Sequence, residues 1–132
     1  MDNVSKTTSV KGMFKIGIIM ALCITLIITL IVVYTNNRWK YELDVVYEGY
    51  DEGVYEYTIT NKTNRTLKDV TIKFKVDNTA LSDFVFDDRV GTLHAGETQT
   101  IKLYANQIKR KAEERDITLI FYEVDIFRIT YE

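Results

Sequence analysis

The residue types that most often carry chemistry are sparse in this chain and poorly placed for it. There is one histidine, His94, and one cysteine, Cys23. His94 falls between Gly91 and Gly96 in a stretch that reads as a turn, and no Gly-x-Ser-x-Gly or comparable nucleophile motif exists for it to serve as a general base. Cys23 lies inside a long apolar run, so the two side chains do not make a metal site. Carboxylates are more abundant. Glu48, Asp51 and Glu52 surround an expected hairpin, and Asp83, Asp87 and Asp88 an expected loop. Gathered at one end of a domain, such groups supply the several oxygens that Ca²⁺ prefers, yet neither has the Asp-x-Asp-x-Asp-Gly order of a calcium loop, and both read as solvated acidic loops. Paired carboxylates for glycoside hydrolysis need a cleft, which a bare domain of this size rarely provides. No catalytic, cofactor-binding or metal-ligating residue is assigned, and the expectation is a non-enzymatic protein with no cofactor and no small-molecule substrate.

The nine tyrosines are a different signal. Tyr55 and Tyr57 alternate with polar residues and read as core. Tyr47, Tyr50, Tyr104, Tyr122 and Tyr131 form a candidate interaction surface, because a tyrosine ring gives contact area at low entropic cost while its hydroxyl stays satisfied.

The elements that must position these residues divide sharply. Residues 16–34 (IGIIMALCITLIITLIVVY) carry no charge and no proline. As a helix the run is about 28 Å long, near the hydrocarbon thickness of a bilayer, and a helix apolar all round needs apolar surroundings on every side. The expected organisation is a cytoplasmic tail at 1–15, a transmembrane helix at 16–34, a juxtamembrane linker at 35–40 and an extracytoplasmic domain at 41–132. The residues after the run offer no small-residue cleavage site, so the segment reads as a retained anchor. Leu22 precedes Cys23 and the run continues well beyond it, which argues against lipidation and for Cys23 as apolar filler.

Charge supports this division. The first 40 residues carry a net +4 and residues 41–132 a net −6. An acidic domain repels phosphate, so nucleic acid is excluded as a partner. Lys6, Lys11, Lys15 and the amino terminus precede the span, against Arg38 and Lys40 after it, which places the tail inside. Tyr34, Arg38, Trp39, Lys40 and Tyr41 are expected as anchors at the outer membrane interface. Within the span, Gly17, Ala21, Thr25 and Thr29 recur every four residues and form one slowly winding stripe of small side chains, a packing face for a second helix from another membrane protein or from a copy of the same chain.

Beyond residue 40 the period changes to two. Val70, Ile72, Phe74 and Val76 alternate with Thr71, Lys73 and Lys75; Tyr55, Tyr57 and Ile59 alternate with Glu56, Thr58 and Thr60; Ile101 and Leu103 alternate with Thr100 and Lys102. A first strand is expected over residues 41–48, and polar turns at 61–66 and 95–97. Residues 106–116 (NQIKRKAEERD) lack this period and read as a short helix between strands. Residues 117–131 are apolar on both faces and read either as one strand or as a hairpin turning near residues 123–125, the hairpin being preferred. The fold class expected is one N-terminal transmembrane α-helix followed by an all-β antiparallel sandwich of immunoglobulin type.

Val54-Tyr55-Glu56-Tyr57-Thr58-Ile59-Thr60-Asn61-Lys62-Thr63, followed by Leu67-Lys68-Asp69-Val70-Thr71-Ile72-Lys73-Phe74, resembles the strand, asparagine, polar turn and Leu-x-x-Val strand of bacterial immunoglobulin-like domains, especially the FxLYD type. Gly91-Thr92-Leu93-His94-Ala95-Gly96-Glu97-Thr98 resembles a later turn of the same domains, while Phe74-Lys75-Val76-Asp77 lacks the tyrosine of their naming motif. The resemblance covers about half of the domain and implies architecture and a surface location, with no common activity.

Three functional expectations follow. The first is an accessory or interaction subunit of a larger membrane assembly, engaged through anchor and outer domain. The second is an extracellular module that binds or senses a ligand or the cell wall. The third is a surface filament component. Type IV pilins are similar in having a basic leader and an apolar helix, although Gly17 stands where a pilin following Gly12 would carry glutamate.

Overall fold

The computed structural model describes residues 2–78 and 83–132, with side chains from Val10 onward. The chain forms two units that meet at residues 36 and 37.

The first unit is α1 (Asp2–Asn37), an uninterrupted helix. Its segment Val10–Asn37 is long and apolar enough to cross a membrane, its most apolar 18-residue stretch having a mean hydropathy of 3.1 and no buried residue. Every backbone group inside such a helix is satisfied within the helix, which is what a hydrocarbon environment demands. The threonines are satisfied locally as well. Thr25 Oγ1 donates to the Ala21 carbonyl at 2.9 Å, Thr29 Oγ1 to Thr25 at 2.8 Å and Thr35 Oγ1 to Ile31 at 2.8 Å. Residues 35–40, expected as a linker, are largely helical, because no glycine or proline interrupts them. α1 runs through Asn37, and α2 (Trp39–Glu42) follows.

The second unit begins at Asn37 and contains six antiparallel strands in two three-stranded sheets. These are β1 (Leu43–Asp51), β2 (Val54–Asn61), β3 (Leu67–Asn78), β4 (Phe84–Leu93), β5 (Thr98–Tyr104) and β6 (Tyr122–Thr130), with α3 (Ala105–Glu113) between the last two. One sheet has the order β1-β2-β5 and the other β4-β3-β6. The strand expected from Tyr41 begins instead at Leu43, with Tyr41 in α2.

The inner faces of both sheets share a single core. β3 supplies its centre, since Val70, Ile72, Phe74 and Val76 are all fully buried while the intervening Thr71, Lys73 and Lys75 face outward. Tyr57 and Ile59 of β2 and Ile101 and Leu103 of β5 close it from the other side. In α3, Ile108 and Ala112 lie four residues apart on the buried face.

Turns are set by local chemistry. Glu52 and Gly53 both have positive φ (45° and 83°), the requirement of a two-residue type I′ hairpin between β1 and β2. At the end of β2 the fully buried Asn61 side chain ties two loops together. Its Nδ2 donates to the carbonyls of Arg65 (2.8 Å), His94 (3.0 Å) and Leu93 (3.1 Å), and its Oδ1 accepts from Thr63 N–H (2.9 Å) and Thr63 Oγ1 (2.7 Å). Asn78 plays a similar part at the end of β3, with Nδ2 donating to the Thr118 carbonyl at 2.8 Å.

The hairpin expected within residues 117–131 does not form. Residues 123–125, where it was to turn, lie inside the single strand β6, and residues 117–121 are irregular. Lys73 pairs with Arg128 and Phe74 with Ile126, so Phe127 is an extra, bulged residue. Val124 and Ile126 face the core before the bulge and Ile129 after it, so the phase of the alternation changes mid-strand.

On the opposite edge strand, Asp88 pairs with inward-facing Ile72 and therefore shares its face, an inward charge of the kind that discourages edge pairing. Partial burial raises its carboxyl above the usual range, opposed by a hydrogen bond from the Arg89 backbone N–H. The folded state thus binds this proton more tightly than the unfolded chain, and the group costs stability as pH rises from about 4 through its folded pKa. Asp88→Asn is expected to raise the Tm at pH 7 by about a degree or two and to change nothing at pH values well below the unfolded pKa; melting curves of both chains across that range are the check.

Candidate functional site

A bulge in β1 builds the most distinctive surface of the domain. Tyr47 pairs with Tyr57, Gly49 with Glu56 and Tyr50 with Tyr55, leaving Glu48 as the extra residue. In a regular strand, residues three apart point to opposite faces. The bulge instead turns Tyr47 and Tyr50 to the same face, the inner one, opposite Tyr57 and Tyr55. The Tyr47 and Tyr57 rings lie 5.2 Å apart and the Tyr50 and Tyr55 rings 4.6 Å apart, both pairs tilted. Tyr57 continues inward to Phe74 at 5.7 Å.

β1 is the edge of one sheet and β6 the edge of the other. Between them runs a groove of about 350 Å³ lined by Tyr47, Tyr55, Tyr57, Tyr122, Glu123, Val124 and Asp125. The Tyr57 hydroxyl donates across it to the Val124 carbonyl of β6 at 3.2 Å. Burial, with Tyr47 and Asp125 nearby, pushes the Tyr57 phenol up to about 12. Burial and the neighbouring Tyr122, Tyr50 and Tyr47 hold Tyr55 far above the usual phenol range. These phenols stay neutral at any physiological pH, so the groove offers ring faces and hydroxyls with carboxylates at its margin.

The expected interaction tyrosines divide into three places. Tyr47 is exposed and forms one wall with Tyr55 and Tyr57; Tyr50 is exposed and packs on Tyr55 beside the groove; Tyr122 is half-buried and belongs to the other wall. Tyr104 is exposed on the outer face, paired with Val54, and stands apart. Tyr131 is half-buried in a separate cluster. Its hydroxyl donates to Glu42 Oε2 at 2.6 Å, and the guanidinium groups of Arg38 and Arg65 lie 4.9 Å and 6.0 Å from its ring centre. The same Glu42 oxygen is 3.3 Å from Arg38 Nε and 3.0 Å from Arg65 Nη2. Partial burial tends to raise the Glu42 carboxyl, but the Tyr131 hydrogen bond and the two arginines outweigh it and lower its pKa.

Among the expected interface anchors, Tyr34 and Tyr41 are exposed, Trp39 packs against the core, and Lys40 Nζ lies 5.7 Å from the Trp39 ring centre. Gly17, Ala21, Thr25 and Thr29 lie exposed along α1, and a Cβ added at Gly17 would meet nothing within 4 Å. His94 is exposed in the turn before β5, where Glu97 Oε2 accepts its backbone N–H at 2.7 Å. Among the described residues no three His, Cys, Asp or Glu side chains gather as a metal site. Asp87 instead faces Lys73, and Asp83 faces Lys75. Sequence reading missed Tyr55 as a groove wall and the contribution of residues 123–125; the available signal was Gly49 inside a strand pattern, a marker of bulges.

No family model, curated protein or solved structure matches this chain.

Proposed function

We propose that this chain is a non-enzymatic, single-span membrane protein whose tail is cytoplasmic and whose outer domain, an immunoglobulin-like sandwich, serves as an interaction subunit of a larger membrane assembly. The observation that carries this reading is the groove between β1 and β6, where Tyr47 stands more than half exposed against other aromatic rings at a sheet edge, with the similarly exposed Tyr50 packed on Tyr55 beside it. Large exposed rings rimmed by polar groups are a property of interaction surfaces. The net charge of −6 on residues 41–132 favours a partner with a basic segment. The stripe of Gly17, Ala21, Thr25 and Thr29 provides a second contact, within the bilayer.

The test is site-specific photocrosslinking in native membranes, with the probe at Tyr47, at Tyr50 or at the outward-facing Tyr104, in the unaltered anchor and in one carrying Ala21→Leu and Thr25→Leu. A discrete adduct from Tyr47 and Tyr50 but not from Tyr104 is expected, weakened several-fold by the leucines. Equal labelling from all three positions would sink the assignment of the groove. The second reading, a module that binds a ligand or the cell wall, is favoured by the same groove and predicts loss of binding on groove substitution with no effect of the anchor leucines.

A further inference from the structure

The chemistry of the groove matches that of the Tyr131 cluster, with one component missing. At Tyr131, a ring and a carboxylate are satisfied by cations of the same chain, Arg38 and Arg65. In the groove, four tyrosines stand with Glu123 and Asp125, and none of the lining residues is a lysine or arginine. Lys75, paired with Asp125 on the outer face of the sheet, bonds Asp77 at 2.6 Å, lies 3.8 Å from Asp83 and also feels the charge of Asp125, but does not line the groove. Neutral phenol faces attract a cation through the ring quadrupole, and carboxylates at the margin add to that attraction.

Geometry says how the cation arrives. β6 pairs with β3 on one side only, and among the described residues no strand pairs with its other side. A strand laid along that edge would send alternate side chains into the gap between the sheets, where Tyr47 and Tyr57 stand. A lysine fits such a slot in two parts, its methylenes against the rings and its ammonium at the acidic margin.

We infer that the groove receives a lysine side chain from an extended, basic segment of a partner protein, added as a strand beside β6. This deepens the proposed interaction function and rests on it. The test uses the full chain in detergent micelles and a peptide of alternating threonine and lysine, beside the same peptide with norleucine for lysine. The lysine peptide is expected to bind about tenfold more tightly than the norleucine one. It should also slow hydrogen exchange of amides within residues 122–130.

Tyr47→Ala should weaken binding about tenfold and Asp125→Asn about threefold, while Tyr104→Ala, on the outer face away from the groove, should bind as the wild type does. Tyr47 and Asp125 are exposed, so unchanged melting curves would establish that the variants remain folded. Equal binding of the norleucine peptide, or indifference to Tyr47→Ala, overturns the inference. So does binding of tetramethylammonium as tight as that of the peptide, which would make the occupant a free quaternary amine. A crosslink from Tyr47 in membranes combined with no peptide binding would remove the lysine assignment alone. Loss of the crosslink as well would remove the interaction function with it.

Discussion

Phe74→Ala is expected to cost about 3–5 kcal/mol, a large share of the roughly 5–10 kcal/mol available to a domain of this size. Phe74 is fully buried on the central strand of its sheet, between Tyr57 at 5.7 Å and Phe86 at 5.5 Å. Its removal leaves a cavity bounded by both sheets, and strands fixed by their ladders collapse into it only in part. Trp39, the single tryptophan, packs against the core and reports the transition by fluorescence in urea. Phe127→Ala, at the exposed bulge of β6, should change stability by about 0.5 kcal/mol or less. Equal effects of the two substitutions would contradict the assignment of the core.

The second large effect is expected at Asn61, for a different reason. Asn61→Leu keeps the apolar contacts but strands five hydrogen-bonding partners at once, among them the carbonyls of Leu93 and His94 and the N–H of Thr63. Some reach water and some do not, so the cost is about 3 kcal/mol rather than the full sum. Asn61→Asp separates polarity from donor geometry. It retains the acceptor for Thr63 and replaces the donor with a carboxylate facing three carbonyls, so it should be as damaging as leucine at pH 7. Protonation restores one donor, and part of the loss should return as pH falls through the raised folded pKa toward about 4. An Asn61→Asp chain as stable as the wild type at neutral pH would refute this account.

These two residues also mark how far the sequence can be read. β3 is legible because Val70 to Val76 keeps strict alternation with no bulge, and each inward residue is buried as the pattern demands. Asn61 is legible as the asparagine before a polar turn, though its bonds to Leu93 and His94 span more than thirty residues and have no local signature. The amphipathic spacing of Ile108 and Ala112 sets α3 inside an otherwise charged stretch.

Legibility fails where one residue is added. In β6 the bulge at Phe127 makes a single strand look apolar on both faces, which is why it resembles a hairpin. In β1 the bulge at Glu48 hides the fact that Tyr47 and Tyr50 share a face. Tyr131 misleads for another reason: it reads as a free surface ring, but Arg38, Arg65 and Glu42 reach it from distant positions. The small-residue stripe of the anchor is legible by spacing alone, and its threonine hydroxyls find carbonyls one turn back within the same helix.

The extra residue in β1 lets the strand change length without changing the face its tyrosines occupy. Deleting the single codon for Glu48 would return the strand to regular pleating with Tyr47 and Tyr50 two residues apart, both still facing inward opposite Tyr57 and Tyr55. Leu43 and Val45, which lie before the bulge and pack in the core, would keep their places. The bulge is therefore the way this edge strand absorbs an added residue without turning its tyrosines outward, and related chains that share the fold can differ by one residue here and keep the aromatic face.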